Sequence, residues 1–187
     1  MMAAAVLALT ACVAPSLETA DLLIRGGTVY TGSDAPFTGN VAIRDDKVYA
    51  VGRSAGSRAK RIIDARGMIV APGFIDPHTH MAEDVRSDDA RTRLVPAFLM
   101  QGVTTAFIGN DGGGDPDVAA VLGSAATKPV GINFAAFVGF GAIRKAVVGE
   151  ANRAPTPDEV TRMEAMVASA MCDGALGLST GLFYAPE

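Results

Sequence analysis

The only two histidines of the chain stand two residues apart, in Asp76-Pro77-His78-Thr79-His80. On an extended strand, side chains at this spacing point to the same side. Neutral imidazole is the commonest side-chain metal ligand, and two imidazoles on one side can chelate a single ion. Two chance surface histidines are the alternative, but the presence of both histidines of the chain in one tripeptide, shortly after Phe74-Ile75-Asp76, argues against it. The pattern predicts His78 and His80 as metal ligands.

Asp76 lies two residues before His78, which is close enough to influence the same site. Its carboxylate would either accept the second ring proton of a histidine, and so orient that ring, or cap the end of the strand. The sequence leaves both interpretations open.

Strand and helix patterns alternate from residue 71 onward. The predicted strands cover residues 74–76, 103–109, 130–140 and 175–178. Between them we predict a helix over residues 87–102 with Leu94, Phe98 and Leu99 on one face, a short helix after residue 117, and a helix from Thr156 to Cys172. The last helix begins with a capping-box Thr and Glu and a Pro at its first position.

This alternation predicts an α/β fold with a parallel sheet. The fold class we assign is a partial (β/α)8 TIM-type barrel, because such a barrel has eight units and about 250 residues, and the chain supplies about four units. In that fold His78 and His80 would lie at the C-terminal rim, where barrel enzymes place their catalytic groups.

The preceding residues have a different pattern. Short β-branched runs separated by Gly and Asp turns predict a small antiparallel β unit, with Gly26-Gly27 as one of the turns. We therefore divide the chain into a signal-like or lipoprotein-like segment at residues 1–20, the first half of a small β domain at residues 21–70, and the first half of a barrel at residues 71–187.

Residues 1–11 are apolar and too short to span a bilayer, as in the core of a secretory signal peptide. Leu9-Thr10-Ala11-Cys12 resembles a lipobox, the cleavage and lipidation site of bacterial lipoproteins. No Lys or Arg precedes the run, which argues against a signal peptide. We predict an exported protein, periplasmic or lipid-anchored through Cys12. The alternative is a cytoplasmic protein with a disordered start.

Charge and cysteine content exclude some classes of function. The net charge is −4 and no stretch concentrates Lys or Arg, so a nucleic-acid partner is not expected. Cys172 is the only cysteine besides Cys12, so no disulfide forms within the chain if Cys12 is processed.

The first barrel strand and its histidines resemble the signature of the amidohydrolase superfamily, which in this chain is Ala71-Pro72-Gly73-Phe74-Ile75-Asp76-Pro77-His78-Thr79-His80. Four further stretches narrow the resemblance to the D-aminoacylase (N-acyl-D-amino-acid deacylase) family. They are Asp21-Leu22-Leu23-Ile24-Arg25-Gly26-Gly27-Thr28-Val29, Gln101-Gly102-Val103-Thr104-Thr105, Val138-Gly139-Phe140-Gly141-Ala142-Ile143-Arg144 and Gly174-Ala175-Leu176-Gly177-Leu178-Ser179-Thr180-Gly181-Leu182-Phe183-Tyr184.

The resemblance implies a β-sandwich joined to a barrel, a zinc centre of one or two ions (or another divalent metal), and hydrolysis of the amide of small N-acyl-D-amino acids. It places the general acid, an Asp, after the last barrel strand and two more zinc histidines on strands five and six. These lie beyond residue 187, so we expect a fragment that is inactive alone.

Two alternatives remain beside this interpretation. One is another amidohydrolase, similar to a dihydroorotase, a hydantoinase or a dipeptidase, against which residues 174–184 argue. The other is a non-catalytic, ligand-binding lipoprotein, for which the only support is Asp111 and Phe140.

These two residues depart from the family pattern. The family has Gly-Asn-Cys-Gly after strand two, with the Cys on zinc, where this chain has Gly109-Asn110-Asp111-Gly112. Asp111 can ligate through oxygen, or it can simply form an Asp-Gly turn; its position favours the metal. Phe140 stands where the family has His, and it can neither ligate nor hydrogen-bond.

Three further positions match rim residues of the family. By this resemblance Arg144, Ser179 and Tyr184 are predicted to contact substrate. For Arg144 the alternative is an ordinary surface arginine, and for Tyr184 it is an amphipathic packing residue.

Overall fold

The computed structural model describes residues 19–56 and 58–184, so the predictions for residues 1–18, including Cys12, lie outside the described residues. The chain forms two compact units that divide between Pro72 and Gly73. Among the helices of the described ranges, none combines the length and the apolar character needed to cross a membrane.

The described residues of the first unit form one five-stranded sheet. Its strands are β1 (Ala20–Val29), β2 (Phe37–Arg44), β3 (Lys47–Gly52), β4 (Ala59–Asp64) and β5 (Ile69–Val70). β2 pairs antiparallel with β1 and β3, whereas β4 and β5 pair parallel with β1. The prediction of an antiparallel unit is confirmed for β1, β2 and β3 and wrong for β4 and β5. After β3 the chain crosses to the other side of β1, and a crossover of this kind returns the next strand in parallel orientation.

Gly26 and Gly27 lie inside β1 and do not form the predicted turn. The register with β2 shifts between Ile24 and Gly27, and Gly26 has a φ of +75°. The Gly26 N–H donates to Asn40 Oδ1 at 3.0 Å. The glycines thus serve a β-bulge, a function that a Gly-Gly pair signals as readily as a turn.

The second unit contains only parallel strand pairs among its described residues. One sheet has the order β6 (Phe74–Asp76), β7 (Val103–Ile108) and β8 (Asn133–Ala136), and β9 (Val138–Gly139) pairs with β10 (Leu178–Ser179). The α/β fold with parallel strands is confirmed, and within each sheet the C-terminal ends of the strands lie on the same edge.

The helices are α1 (Ala82–Arg86), α2 (Ala90–Arg93), α3 (Pro96–Leu99), α4 (Val118–Thr127), α5 (Phe140–Val148) and α6 (Pro157–Cys172). The single helix predicted over residues 87–102 is wrong. Pro96 cannot continue a helix, and Val95 before it has a φ of +42°. Leu94 and Leu99 are consequently exposed.

Phe140 is the first residue of α5, a helix that the sequence patterns missed. The prediction for α6 is confirmed: Thr156 Oγ1 accepts from Glu159 N–H, and the Glu159 carboxylate accepts from Thr156 N–H. The helices and strands of this unit bury one apolar cluster, whose largest fully buried side chains are Met81, Val85, Ile108, Val118, Val138 and Ile143.

Candidate metal centre

Two neighbouring strand ends bring the three predicted ligands together. His78 and His80 follow β6, and Asp111 follows β7. Because Asp76 pairs with Ala106 in a parallel ladder, the chain leaves both strands on the same edge of the sheet.

One carboxylate oxygen is the centre of the cluster. Asp111 Oδ2 lies 3.2 Å from His78 Nε2 and 3.4 Å from His80 Nε2. The three possible ligand atoms all lie within 4.8 Å of one another. The imidazoles are 58% and 72% exposed and Asp111 is 29% exposed, so the cluster faces solvent.

The turn that carries Asp111 has an unusual backbone. Gly109, Asp111 and Gly112 all have positive φ values, of +82°, +56° and +77°. Glycine adopts this region freely, and Asp is among the few other residues that tolerate it. The two glycines therefore allow a tight turn, and its strained third residue points a carboxylate at the histidines.

The Phe107 carbonyl connects the two ligand segments. It accepts hydrogen bonds from Thr79 N–H (3.2 Å), Thr79 Oγ1 (2.7 Å) and Asn110 Nδ2 (3.0 Å). Asn110 Nδ2 also donates to the Thr79 carbonyl at 3.2 Å. Thr79, which stands between the histidines, is buried, so this network fixes the backbone on both sides of the cluster.

Asp76 contacts the backbone of the histidine segment. Its Oδ1 accepts the His78 N–H at 3.1 Å. Of the two interpretations of Asp76, this contact corresponds to capping the strand end.

The three side chains suit a divalent ion. In a tetrahedral site with bonds of about 2.0–2.2 Å, neighbouring ligand atoms lie roughly 3.3–3.6 Å apart. The two imidazole-to-carboxylate distances, 3.2 and 3.4 Å, are close to that separation. Nitrogen and carboxylate oxygen are also a donor set that zinc accepts.

An open cleft of about 660 Å³ lies beside the cluster. His80, Asp111, Tyr184, Lys145 and Glu150 are among the residues that line it. Lys145 Nζ lies 2.6 Å from Glu150 Oε1, and this hydrogen bond raises the pKa of the Lys145 ammonium above its usual value. Tyr184 lines this cleft, and its contact with a substrate stays a prediction.

Arg144 does not face this cleft as an exposed cation. Its side chain is buried, and its guanidinium donates to the carbonyls of Ala151 (2.9 Å), Arg153 (2.8 Å) and Gly149 (3.4 Å). The alternative of an ordinary surface arginine is therefore wrong. The observed partners are backbone carbonyls of the loop between α5 and α6, and binding of a substrate anion by Arg144 stays a prediction.

Phe140 and Ser179 have distinct environments. Phe140 is partly buried and packs against the apolar cluster of the second unit. Ser179 is on β10, and its hydroxyl contacts the turn that carries Asp111.

Sequence reasoning missed four residues near the cluster: Thr79, Asn110, Lys145 and Glu150. Only the first two had a usable signal, since Thr79 separates the histidines and Asn110 lies in the glycine-flanked turn.

Comparison with known proteins agrees with the fold and the motif. Residues 61–125 match the model of the amidohydrolase family. The chain is 34% identical to the D-aminoacylase of Alcaligenes xylosoxydans xylosoxydans over 193 residues, which cover 89% of this chain and 38% of that protein. The chain thus spans well under half the length of this curated relative.

Solved structures give the same result. A D-aminoacylase described as having a binuclear metal centre matches with a TM-score of 0.81 at 32% identity, over 90% of this chain and 40% of that one. The N-acyl-D-glutamate deacylase of Bordetella bronchiseptica, complexed with zinc and a phosphonate that mimics the tetrahedral intermediate, matches with a TM-score of 0.79 at 31% identity and the same coverage. Together with the His78-Thr79-His80 segment and the parallel strands, these matches show that the chain is similar to the amidohydrolase family over residues 61–125 and to D-aminoacylases and N-acyl-D-amino-acid deacylases over about 90% of its length.

Proposed function

We propose that this chain supplies His78, His80 and Asp111 to the metal centre of a hydrolase that cleaves the amide bond of N-acyl-D-amino acids. The observation that carries the proposal is the convergence of these three side chains at the C-terminal ends of β6 and β7. The C-terminal rim is where enzymes of this fold place their chemistry.

A divalent ion held there would lower the pKa of a bound water and polarise the scissile carbonyl. Residues of this chain would hold the ion in place. His78 and His80 direct their Nε2 atoms towards the Asp111 carboxylate, whose negative charge favours a cation at this place. The Phe107 carbonyl network keeps both ligand segments in register, so little reorganisation is needed when an ion binds.

The cleft beside the cluster is large enough for a small N-acyl amino acid. A metal centre alone cannot distinguish D from L, because it acts on the carbonyl. Stereoselectivity needs a further fixed contact, and Tyr184 lines the cleft in a position to provide one. A single contact of this kind is worth about ten- to two-hundred-fold in kcat/KM.

The test is kcat/KM of the full-length, zinc-loaded protein for matched N-acetyl-D- and N-acetyl-L-amino acids. We expect a preference for the D substrate. Equal values of kcat/KM, or a higher value for the L substrate, would refute the D-specific activity. The metal site is tested separately, by metal analysis.

We propose zinc as the ion, in a centre of one or two ions, since imidazole and carboxylate ligands suit it. Elemental analysis of the protein purified without added metal tests this. Stoichiometric zinc supports the assignment, and stoichiometric amounts of another metal contradict it.

We also propose export with lipidation at Cys12, on the basis of the lipobox-like Leu9-Thr10-Ala11-Cys12. Intact-mass analysis of natively expressed protein would show a lipidated N-terminal Cys12. A mass that retains Met1 or Met2 would contradict processing and support the cytoplasmic alternative.

A further inference from the structure

We propose that Ser179 is a positioning residue of the metal centre, whose hydroxyl holds the Gly109–Gly112 turn so that Asp111 faces His78 and His80. The inference rests on the proposed metal function and assigns Ser179 a different task from direct substrate contact.

Two hydrogen bonds carry this proposal. Ser179 Oγ donates to the Gly109 carbonyl at 2.5 Å, and the Gly112 N–H donates to Ser179 Oγ at 3.1 Å. The two partners bracket Asn110 and Asp111, so one hydroxyl closes the turn from both ends. Both bonds are partly buried and join segments that are 67 and 70 residues apart in the chain.

The turn needs such a constraint. Three of its four residues have positive φ values, and for Asp111 this conformation is disfavoured. A strained backbone persists only where its surroundings hold it. The segment after Ser179 adds to this packing, because a Cβ on Gly181 would lie 2.5 Å from the Asp111 carbonyl oxygen.

The position of Ser179 is itself set by the sheet. β10 pairs parallel with β9, with Ser179 opposite Gly139. The Gly139 N–H donates to the Gly114 carbonyl at 2.9 Å, which anchors β9 to the far end of the same loop. The hydroxyl is therefore presented by a strand that is already fixed to its neighbours.

The same contacts argue against Ser179 as a hydrogen-bond donor to substrate. A hydroxyl has one proton to donate, and the proton of Ser179 is directed at the Gly109 carbonyl. The two roles also predict different measurements: loss of a substrate contact raises KM, whereas loss of a positioning contact weakens metal binding.

The test compares zinc affinity in full-length wild type and the Ser179→Ala variant, stripped of metal and titrated against a competing chelator. Ser124→Ala is a matched control, because Ser124 Oγ also makes a partly buried hydrogen bond to a carbonyl, that of Val121, but lies in α4. We expect Ser179→Ala to weaken zinc binding about ten- to a hundred-fold, the usual effect of losing a partner of a metal ligand. Ser124→Ala should bind zinc as the wild type does.

A second pair guards against misfolding of the alanine variant. Ser179→Thr keeps the hydroxyl, and Ser179→Val replaces it with a methyl group at nearly the same side-chain volume. The ratio of the zinc affinities of these two variants therefore isolates the effect of the hydrogen bonds. Hydrogen exchange of the metal-free protein, followed in peptides that cover residues 109–112, provides a readout independent of zinc. We expect faster exchange in Ser179→Ala and Ser179→Val than in wild type and Ser179→Thr.

Unchanged zinc affinity and unchanged exchange in the hydroxyl-free variants would overturn the proposal, and so would an equal loss of zinc affinity in Ser124→Ala. A wild type that binds no zinc would instead refute the proposed metal function, and the exchange data would still decide whether Ser179 holds the turn.

Discussion

At the scale of single residues, the site depends on the carboxylate of one residue, Asp111, whose backbone conformation is strained. Asp111 occupies a left-handed backbone conformation and shares one oxygen between two imidazoles. A residue with disfavoured backbone geometry is maintained only where the structure over-determines it, and such residues cluster at functional sites.

The first prediction concerns the charge of Asp111. Asp111→Asn keeps the shape but removes the negative charge, so we expect zinc affinity to fall at least about tenfold. Asp111→Cys should retain zinc, because a thiolate is a strong zinc ligand. Both affinities are measured by chelator competition. Equal zinc affinity in Asp111→Asn and wild type would remove Asp111 from the ligand set.

The second prediction concerns Asn110, which joins the two ligand segments. Asn110→Ala removes hydrogen bonds to the Thr79 and Phe107 carbonyls. We expect a loss of about 1–3 kcal/mol in the free energy of unfolding. Asn133→Ala is the control, since the Asn133 amide also donates to a carbonyl but is exposed. Equal losses in the two variants would contradict a special role for Asn110.

At the scale of secondary-structure elements, the loop between α5 and α6 is organised by a buried cation. Arg144 reaches from α5 to three carbonyls of residues 149–153. Arg153 in turn pairs with Glu159, which belongs to the capping box of α6.

The third prediction separates the two roles considered for Arg144. Arg144→Met should lower the free energy of unfolding by about 1–3 kcal/mol, because loop carbonyls lose their donor. KM should stay near the wild-type value. Arg162→Met, at an exposed position of α6, serves as the control. A large rise in KM without loss of stability would favour binding of a substrate anion.

The fourth prediction concerns Glu159 and pH. The hydrogen bond from Arg153 and that from the Thr156 N–H lower the pKa of Glu159 from 4.5 to about 2. A carboxyl with a lowered pKa stabilises the folded state fully above its unfolded pKa, and this contribution is lost as the pH falls towards the folded pKa. We therefore expect wild type to exceed Glu159→Gln in stability at pH 7, and the difference to shrink between pH 4.5 and 2. A difference independent of pH, in thermal unfolding midpoints, would contradict this.

The elements show where sequence reasoning succeeds. α6 was predictable because its capping box is local and needs no tertiary information. The helix expected over residues 87–102 failed because Pro96 interrupts an otherwise apolar pattern. α5 was missed because Val138 and Phe140 extend the apolar run of β8, and the pattern alone does not show where a strand ends and a helix begins.

In the site, too, sequence patterns predict local features but not contacts between distant segments. The sequence predicts His78 and His80 as ligands from their spacing and Asp111 from its place after a strand, and the structure brings these three side chains together. The hydrogen bonds of Ser179, and the one from Asn110 to the Thr79 carbonyl, join residues 31–70 positions apart, and only the parallel pairing of the strands brings them together.

At the scale of the whole molecule, parallel pairing is the property that creates the site. It places the C-terminal ends of β6 and β7 on one edge, so the predicted ligands, from segments about 30 residues apart, meet without a long connecting loop. The chain covers 38% of the length of the D-aminoacylase of Alcaligenes xylosoxydans xylosoxydans.

The fifth prediction concerns the two histidines. The metal content of the full-length His78→Ala/His80→Ala double variant is measured by elemental analysis and compared with that of the wild type. Asp115→Ala is the control, because Asp115 is a nearby carboxylate that pairs with Arg86 outside the ligand cluster. We predict that the double variant loses at least one equivalent of zinc together with its hydrolytic activity, while Asp115→Ala keeps its zinc. Unchanged zinc stoichiometry and activity in the double variant would contradict the assignment of His78 and His80 as metal ligands.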